Sequence, residues 1–220
     1  MRSILVYGDS NTWGFIPGTG DRYDRGERWP QVLAEELGEE YEVVSEGLNG
    51  RTTVLDDPVE GKHRNGESYL LPCLESHKPL DLVIIMLGTN DLKARFGLPA
   101  LDIAQGAGKL VELVQKSATG PMGAAPDILL LAPAPVRVLP MWEEMFEGAE
   151  EKSELFAEHF GAVAEARGCH FMDTGALISV SSRDGVHLDA SEHLKLGTAV
   201  AERVRAIFGE IIEEDDTIIV

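Results

Sequence analysis

The chain has 220 residues, 44% of them hydrophobic, two cysteines and a formal net charge of −19. That length suits one compact domain able to bury about 70% of its unfolded surface without disulfides or a structural metal. The charge argues against nucleic acid or an anionic membrane surface as a partner, since phosphate groups would be repelled, and no apolar run approaches the ~20 residues of a membrane span.

Met1-Arg2-Ser3 leads straight into a short apolar strand, so no secretory segment is expected. The strand, residues 4–7, runs into Gly8-Asp9-Ser10 and leaves a serine hydroxyl where a buried strand gives way to a loop. Ser and Asp also cap helices, so the position alone decides nothing. Asp9 is expected to hold this loop through backbone hydrogen bonds. Pro30 suits the first turn of a helix that carries Val32, Leu33 and Leu37 inward and stops at Gly38. Further strand-like runs occupy residues 41–45, 82–87, 128–132 and 169–172. Ala104, Ala107, Val111 and Val114 recur at helical spacing, residues 142–167 read as one longer helical stretch ending before Gly168, and the last helix should bury Leu194, Val200, Val204, Ile207 and Phe208.

Regular alternation of strand and helix predicts a single-domain three-layer α/β/α sandwich around a five-stranded parallel sheet, in the flavodoxin-like order 2-1-3-4-5. The domain is expected over residues 1–209. The tail, 210–220, is acidic and then apolar, and is expected to pack on the domain or on a neighbouring subunit. Residues 50–68 and 133–144 are long connections leaving strand carboxyl ends, where substrate walls, lids or oligomer contacts are usually built. Cys73 and Cys169 read as small buried hydrophobes in a reducing, cytoplasmic compartment.

Four short stretches carry chemistry. In Asp184-Gly185-Val186-His187 the carboxylate can reach the imidazole three positions on, making the oriented base that a weakly acidic serine hydroxyl needs. In Leu87-Gly88-Thr89-Asn90-Asp91 the Asn90 amide can face a developing oxyanion, and in Gly47-Leu48-Asn49-Gly50-Arg51-Thr52-Thr53 the Gly50 N–H can do the same. Each is also good turn chemistry. With Ser10, however, all four follow the carboxyl ends of strands 1, 2, 3 and 5, where a doubly wound sheet gathers its site.

These four stretches, in this order, resemble the SGNH (GDSL-like) hydrolases from residue 4 to about residue 208. The resemblance implies Ser10 as nucleophile, Asp184 and His187 as its partners, and an oxyanion hole made by the Ser10 and Gly50 N–H groups with Asn90. Asn11 departs from the Leu of the GDSL pattern. Arg28-Trp29-Pro30, residues 46–53, residues 81–91 and Met145-Phe146-Glu147-Gly148 are similar to the bacterial arylesterase and acyltransferase branch. That branch acts on small esters, sometimes passes the acyl group to an alcohol instead of water, and often forms homo-oligomers.

The expected activity is therefore that of a serine esterase working through an acyl-enzyme, with no cofactor and no metal. Trp13, Trp29, Met141, Trp142 and Phe146 are candidates for an apolar acyl or aryl pocket, with core or interface packing as the alternative. His63, His77, His159, His170 and His193 show no metal-ligand spacing. A carbohydrate deacetylase or a thioesterase on the same triad is the nearest alternative. A flavodoxin-like switch using Asp9, Asp91 and Asp184 for metal or phosphate is a more distant one, having no use for Asn90 or for a His three residues after an Asp.

Overall fold

Side chains alternate along the central strands, and the alternation sorts them between two cores. In β1 (Arg2–Gly8), Leu5 and Tyr7 join one core while Ile4 and Val6 join the other. In β3 (Leu82–Met86) the same split separates Val83 and Ile85 from Leu82, Ile84 and Met86, and in β4 (Asp127–Ala132) it separates Ile128 and Leu130 from Leu129 and Leu131. A strand covered on both faces reads as a continuous apolar run, which is why β3 is Leu-Val-Ile-Ile-Met and almost wholly buried. Each such side chain contributes about 1.5–3 kcal/mol on burial. With β2 (Tyr41–Gly47) and β5 (His170–Asp173) at the edges, the sheet is parallel throughout and ordered β2-β1-β3-β4-β5.

The structure is a computed structural model that describes residues 1–209; the tail, with the packing expected for it, lies outside the described residues. Helices α1 (Ser10–Trp13), α2 (Trp29–Leu37), α3 (Gly66–His77), α4 (Ala100–Lys116), α5 (Ala149–Glu154), α6 (Phe156–Arg167) and α7 (Ala190–Ile207) complete the three-layer sandwich. Residues of α3, α4 and α6 share the core of Leu5 and Tyr7, and those of α2 and α7 share the core of Ile4 and Val6. Pro30 stands at the start of α2, which buries Val32, Leu33 and Leu37 and is capped by Gly38. Among the described residues no helix is long and apolar enough to cross a membrane.

Two sequence expectations are corrected. Residues 142–167 are not one helix: 143–148 are turns ending at Gly148, which takes a left-handed φ of 70°, and α5 and α6 follow, separated at Leu155, where ψ is −4°. In α7 the buried face runs through His193, Leu196, Gly197, Val200 and Val204. Leu194 lies one residue, about 100° of helix, off that face and is 57% exposed.

Candidate active site

Gly8 ends β1, and Asp9 caps the single turn of α1 by accepting the Asn11 N–H at 2.9 Å, the backbone role expected of it. Ser10 is thereby set at the carboxyl end of β1 and is only 6% exposed. Its Oγ lies 3.0 Å from Nε2 of His187, whose Nδ1 lies 2.8 Å from Oδ2 of Asp184. A carboxylate only accepts, so Nδ1 carries the proton that Asp184 holds and Nε2 is left to take the serine proton.

Asp184 is thoroughly satisfied. Its Oδ1 accepts from the backbone N–H groups of Val186 and His187, and its Oδ2 also accepts from Gly18 N–H at 3.2 Å. Burial alone would raise this carboxyl; the His187 ring and the two backbone donors outweigh it and bring it down to about 2.

The oxyanion-hole candidates share one cavity of about 300 Å³ with Ser10 and His187. Asn90 opens a short 3-10 turn after β3, and one of its amide hydrogens goes to the Arg51 carbonyl at 3.1 Å, which fixes the amide plane and leaves the second N–H for an oxyanion. Gly50 has φ of 75°, a conformation a side chain resists, and a Cβ there would fall 2.4 Å from Glu60 Oε2. Arg51 is buried over the Tyr7 ring and donates to the carbonyls of Gly8 and Glu46, so one residue ties both β1 and β2 to the Asn90 turn.

Two further buried carboxyls sit beneath this assembly. Asp91 accepts from the Thr53 N–H and hydroxyl, and burial pushes it up to about 7; burial likewise raises Asp9 to about 6. Asp9, Asp91 and Asp184 thus hold chain turns together, each bonded to backbone N–H groups.

Phe15, Val186, Trp142, Met145 and Phe146 form the apolar side of the cavity, and Asn49, Glu60 and Lys93 its polar side. Of the pocket candidates, Trp142 and Phe146 line it. Trp29 is fully buried core, Trp13 is covered by the Arg22 guanidinium at 4.7 Å, and Met141 is 61% exposed in a neighbouring cleft of about 560 Å³ with Arg95, Glu143 and Glu144. Sequence reasoning missed Phe15, whose ring stacks on His187 at 4.0 Å and 23°. Its signal was its place one residue after Gly14, which ends α1 in a left-handed turn and sends the chain back over the site. Lys93 and Glu60 were missed because only the fold brings them together, as an ion pair that Arg95 shares.

Among the histidines, His193 is buried, its Nδ1 accepts from Trp29 N–H, and burial lowers it to about 4. Glu46, Cys73 and His77 place ligand-type atoms within 4.8 Å of one another, a grouping that spacing did not suggest. His77 Nδ1 is 2.9 Å from the Cys73 carbonyl and burial pushes the thiol up to about 12, so the group is a protonated thiol beside a histidine tied to its own helix.

A family model for GDSL-like lipases and acylhydrolases matches residues 6–198. No curated protein matches the chain. Among solved structures, a carbohydrate acetylesterase from Sinorhizobium meliloti is 43% identical, with a TM-score of 0.91 over 94% of this chain and 100% of that one. The aryl esterase of M. smegmatis is also 43% identical, with a TM-score of 0.89 over 94% and 99%. A second S. meliloti carbohydrate acetylesterase family member is 37% identical, with a TM-score of 0.90 over 95% and 100%.

Proposed function

Because the chain belongs to the GDSL-like lipase/acylhydrolase family, we propose that it cleaves small carboxylic esters on Ser10. The observation that carries the mechanism is the continuous chain from Ser10 Oγ through the His187 ring to Asp184, with links of 3.0 and 2.8 Å. Ser10 Oγ attacks the ester carbonyl as His187 Nε2 takes its proton. The Ser10 and Gly50 N–H groups and the Asn90 amide stabilise the oxyanion. Collapse of the tetrahedral adduct breaks the bond to the alcohol oxygen, which leaves with the proton from Nε2. Water then attacks the acyl-enzyme, giving its proton to His187 Nε2; collapse of this second adduct breaks the bond to Ser10 Oγ, which takes the proton back from Nε2 as the acid departs.

Acyl transfer is the same second step with an alcohol in place of water. The apolar wall of Phe15, Val186, Trp142 and Phe146 supports it, since it favours an alcohol over water beside the acyl-enzyme. A second reading, removal of acetyl groups from carbohydrate, is supported by the S. meliloti relative and by the polar cleft of Arg95, Glu143 and Glu144 next to the cavity. Residues 1–209 act as one hydrolase domain. Free thiols at Cys73 and Cys169 suit a cytoplasmic setting, and the exposed Val59 and Met141 suit a homo-oligomer; light scattering reporting about one chain mass would remove the oligomer.

The test is a panel of p-nitrophenyl esters of increasing acyl length, with and without a competing alcohol, alongside acetylated sugars. Turnover should be highest for short acyl groups and absent in Ser10→Ala. Full activity in Ser10→Ala overturns the mechanism.

A further inference from the structure

His187 and Asp184 sit on the same short loop, so their mutual bond orients the ring within that loop but does not place the loop against Ser10. Its neighbours on the other side do not place it there either: Gly185 O accepts from Arg137 N–H at 2.7 Å, and His187 O accepts from Ser181 N–H at 2.7 Å, both away from the nucleophile. The connection runs instead through Asn11. Its Nδ2 donates to Val186 O at 3.2 Å and its Oδ1 accepts Leu188 N–H at 3.1 Å, so the amide grips the backbone on both sides of His187. Asn11 is only 7% exposed, and its own N–H is held by Asp9 at 2.9 Å.

We propose that Asn11 is a positioning residue that clamps the histidine loop to the nucleophile turn and sets the Ser10–His187 distance. The inference rests on the triad reading of the previous section. A leucine at this position, as in the GDSL pattern, offers neither donor nor acceptor and would leave a buried carbonyl and a buried N–H without partners. The loop would then shift to recover hydrogen bonds, and a displacement of the order of 1 Å costs about 10²-fold in rate. Two further contacts join these loops: Gly18 N–H, bonded to Asp184 Oδ2 at 3.2 Å, holds the carboxylate, and the Phe15 ring stacks on His187, whereas Asn11 holds the backbone that carries the ring.

The test compares the full chain with Asn11→Leu, Asn11→Ser (too short to span the two contacts), Ser10→Ala and His187→Ala. Measurements are kcat and KM for p-nitrophenyl acetate, the melting temperature, and the rate at which a neutral fluorophosphonate labels Ser10. Either folded Asn11 variant should lose kcat by about 10- to 100-fold with KM within about twofold. Labelling of Ser10 should slow by the same factor, because phosphonylation draws on the same base. Wild-type kcat in both Asn11 variants, with Ser10→Ala and His187→Ala inactive, overturns the clamp alone. So does a loss carried by KM with unchanged labelling, or failure of both variants to fold, which would make Asn11 a purely structural residue. Turnover surviving in Ser10→Ala would overturn the triad reading itself.

Discussion

The floor and the outer wall of the cavity are assembled by different means. On the floor, Ser10, Asp184 and His187 are held by turns a few residues long, with carboxylates bonded to backbone N–H groups two or three positions on. The wall of Trp142, Met145 and Phe146 belongs to a connection with little regular structure, pinned by Ala94 N–H to Met145 O at 2.8 Å and by Val138 N–H to Glu150 Oε1 at 2.6 Å. The indole Nε1 of Trp142 is buried without a hydrogen-bond partner, whereas every side-chain polar atom of Asp184 and His187 has one. Each turn of the floor is thus shaped locally and the turns are joined by a few long-range hydrogen bonds such as those of Asn11, whereas the wall is placed mainly by long-range contacts.

Substitutions on the floor should act on rate, and those on the wall on selectivity. The largest effect is expected from His187→Ala, which should lower kcat for p-nitrophenyl acetate by about 10⁴-fold or more in the folded variant; substantial retained turnover would break the contrast. Asn90→Ala should cost about 10²–10³ in kcat with little change in KM, as steady-state kinetics would report. Trp142→Ala should change the butyrate-to-acetate ratio of kcat/KM by about tenfold with acetate kcat nearly preserved. A uniform loss for all acyl lengths would instead assign Trp142 to the floor.

The smallest effect concerns stability. Asp91 and Asp9 titrate higher folded, at about 7 and 6, than an unfolded carboxyl near ~3.9. The native state therefore holds their protons more tightly, so their contribution to stability is full below the unfolded value and is lost as pH rises through 6 to 7. Asp184 runs oppositely: its contribution is present above the unfolded value and is lost as pH falls toward 2. Thermal melts from pH 5 to 8 should show Asp91→Asn lacking part of the wild-type decline, by at most ~1.4 kcal/mol per pH unit. An identical slope in both proteins would contradict this account of Asp91.

What could be read from the sequence follows the same division. Strand order and the gathering of Ser10, Gly50, Asn90, Asp184 and His187 at one crevice were legible because apolar runs, turn residues and a three-residue Asp–His spacing are local signals. Trp13 and Met141 were plausible wall residues by composition alone, yet the first is covered by Arg22 and the second faces solvent. Nothing local distinguishes them from Trp142, which a distant turn folds inward. Leu194 was misplaced for a related reason: hydrophobicity suggested burial, but the face of α7 is set by small residues such as Gly197, where a Cβ would meet Val32 at 2.5 Å. The break at Gly148 was hidden because helix-favouring residues flank it on both sides.

The stack of Phe15 on the His187 ring bears on handedness. One face of the imidazole is closed by the aromatic plane, so in the proposed mechanism the alcohol of the ester would leave past Nε2 from the remaining side. A stereocentre beside the ester oxygen then presents its substituents to an asymmetric opening, with a flat ring on one hand and the cavity on the other. Racemic secondary alcohols should be resolved at the step where His187 exchanges its proton with the alcohol oxygen, and enlarging or removing the Phe15 ring should alter which mirror image reacts first.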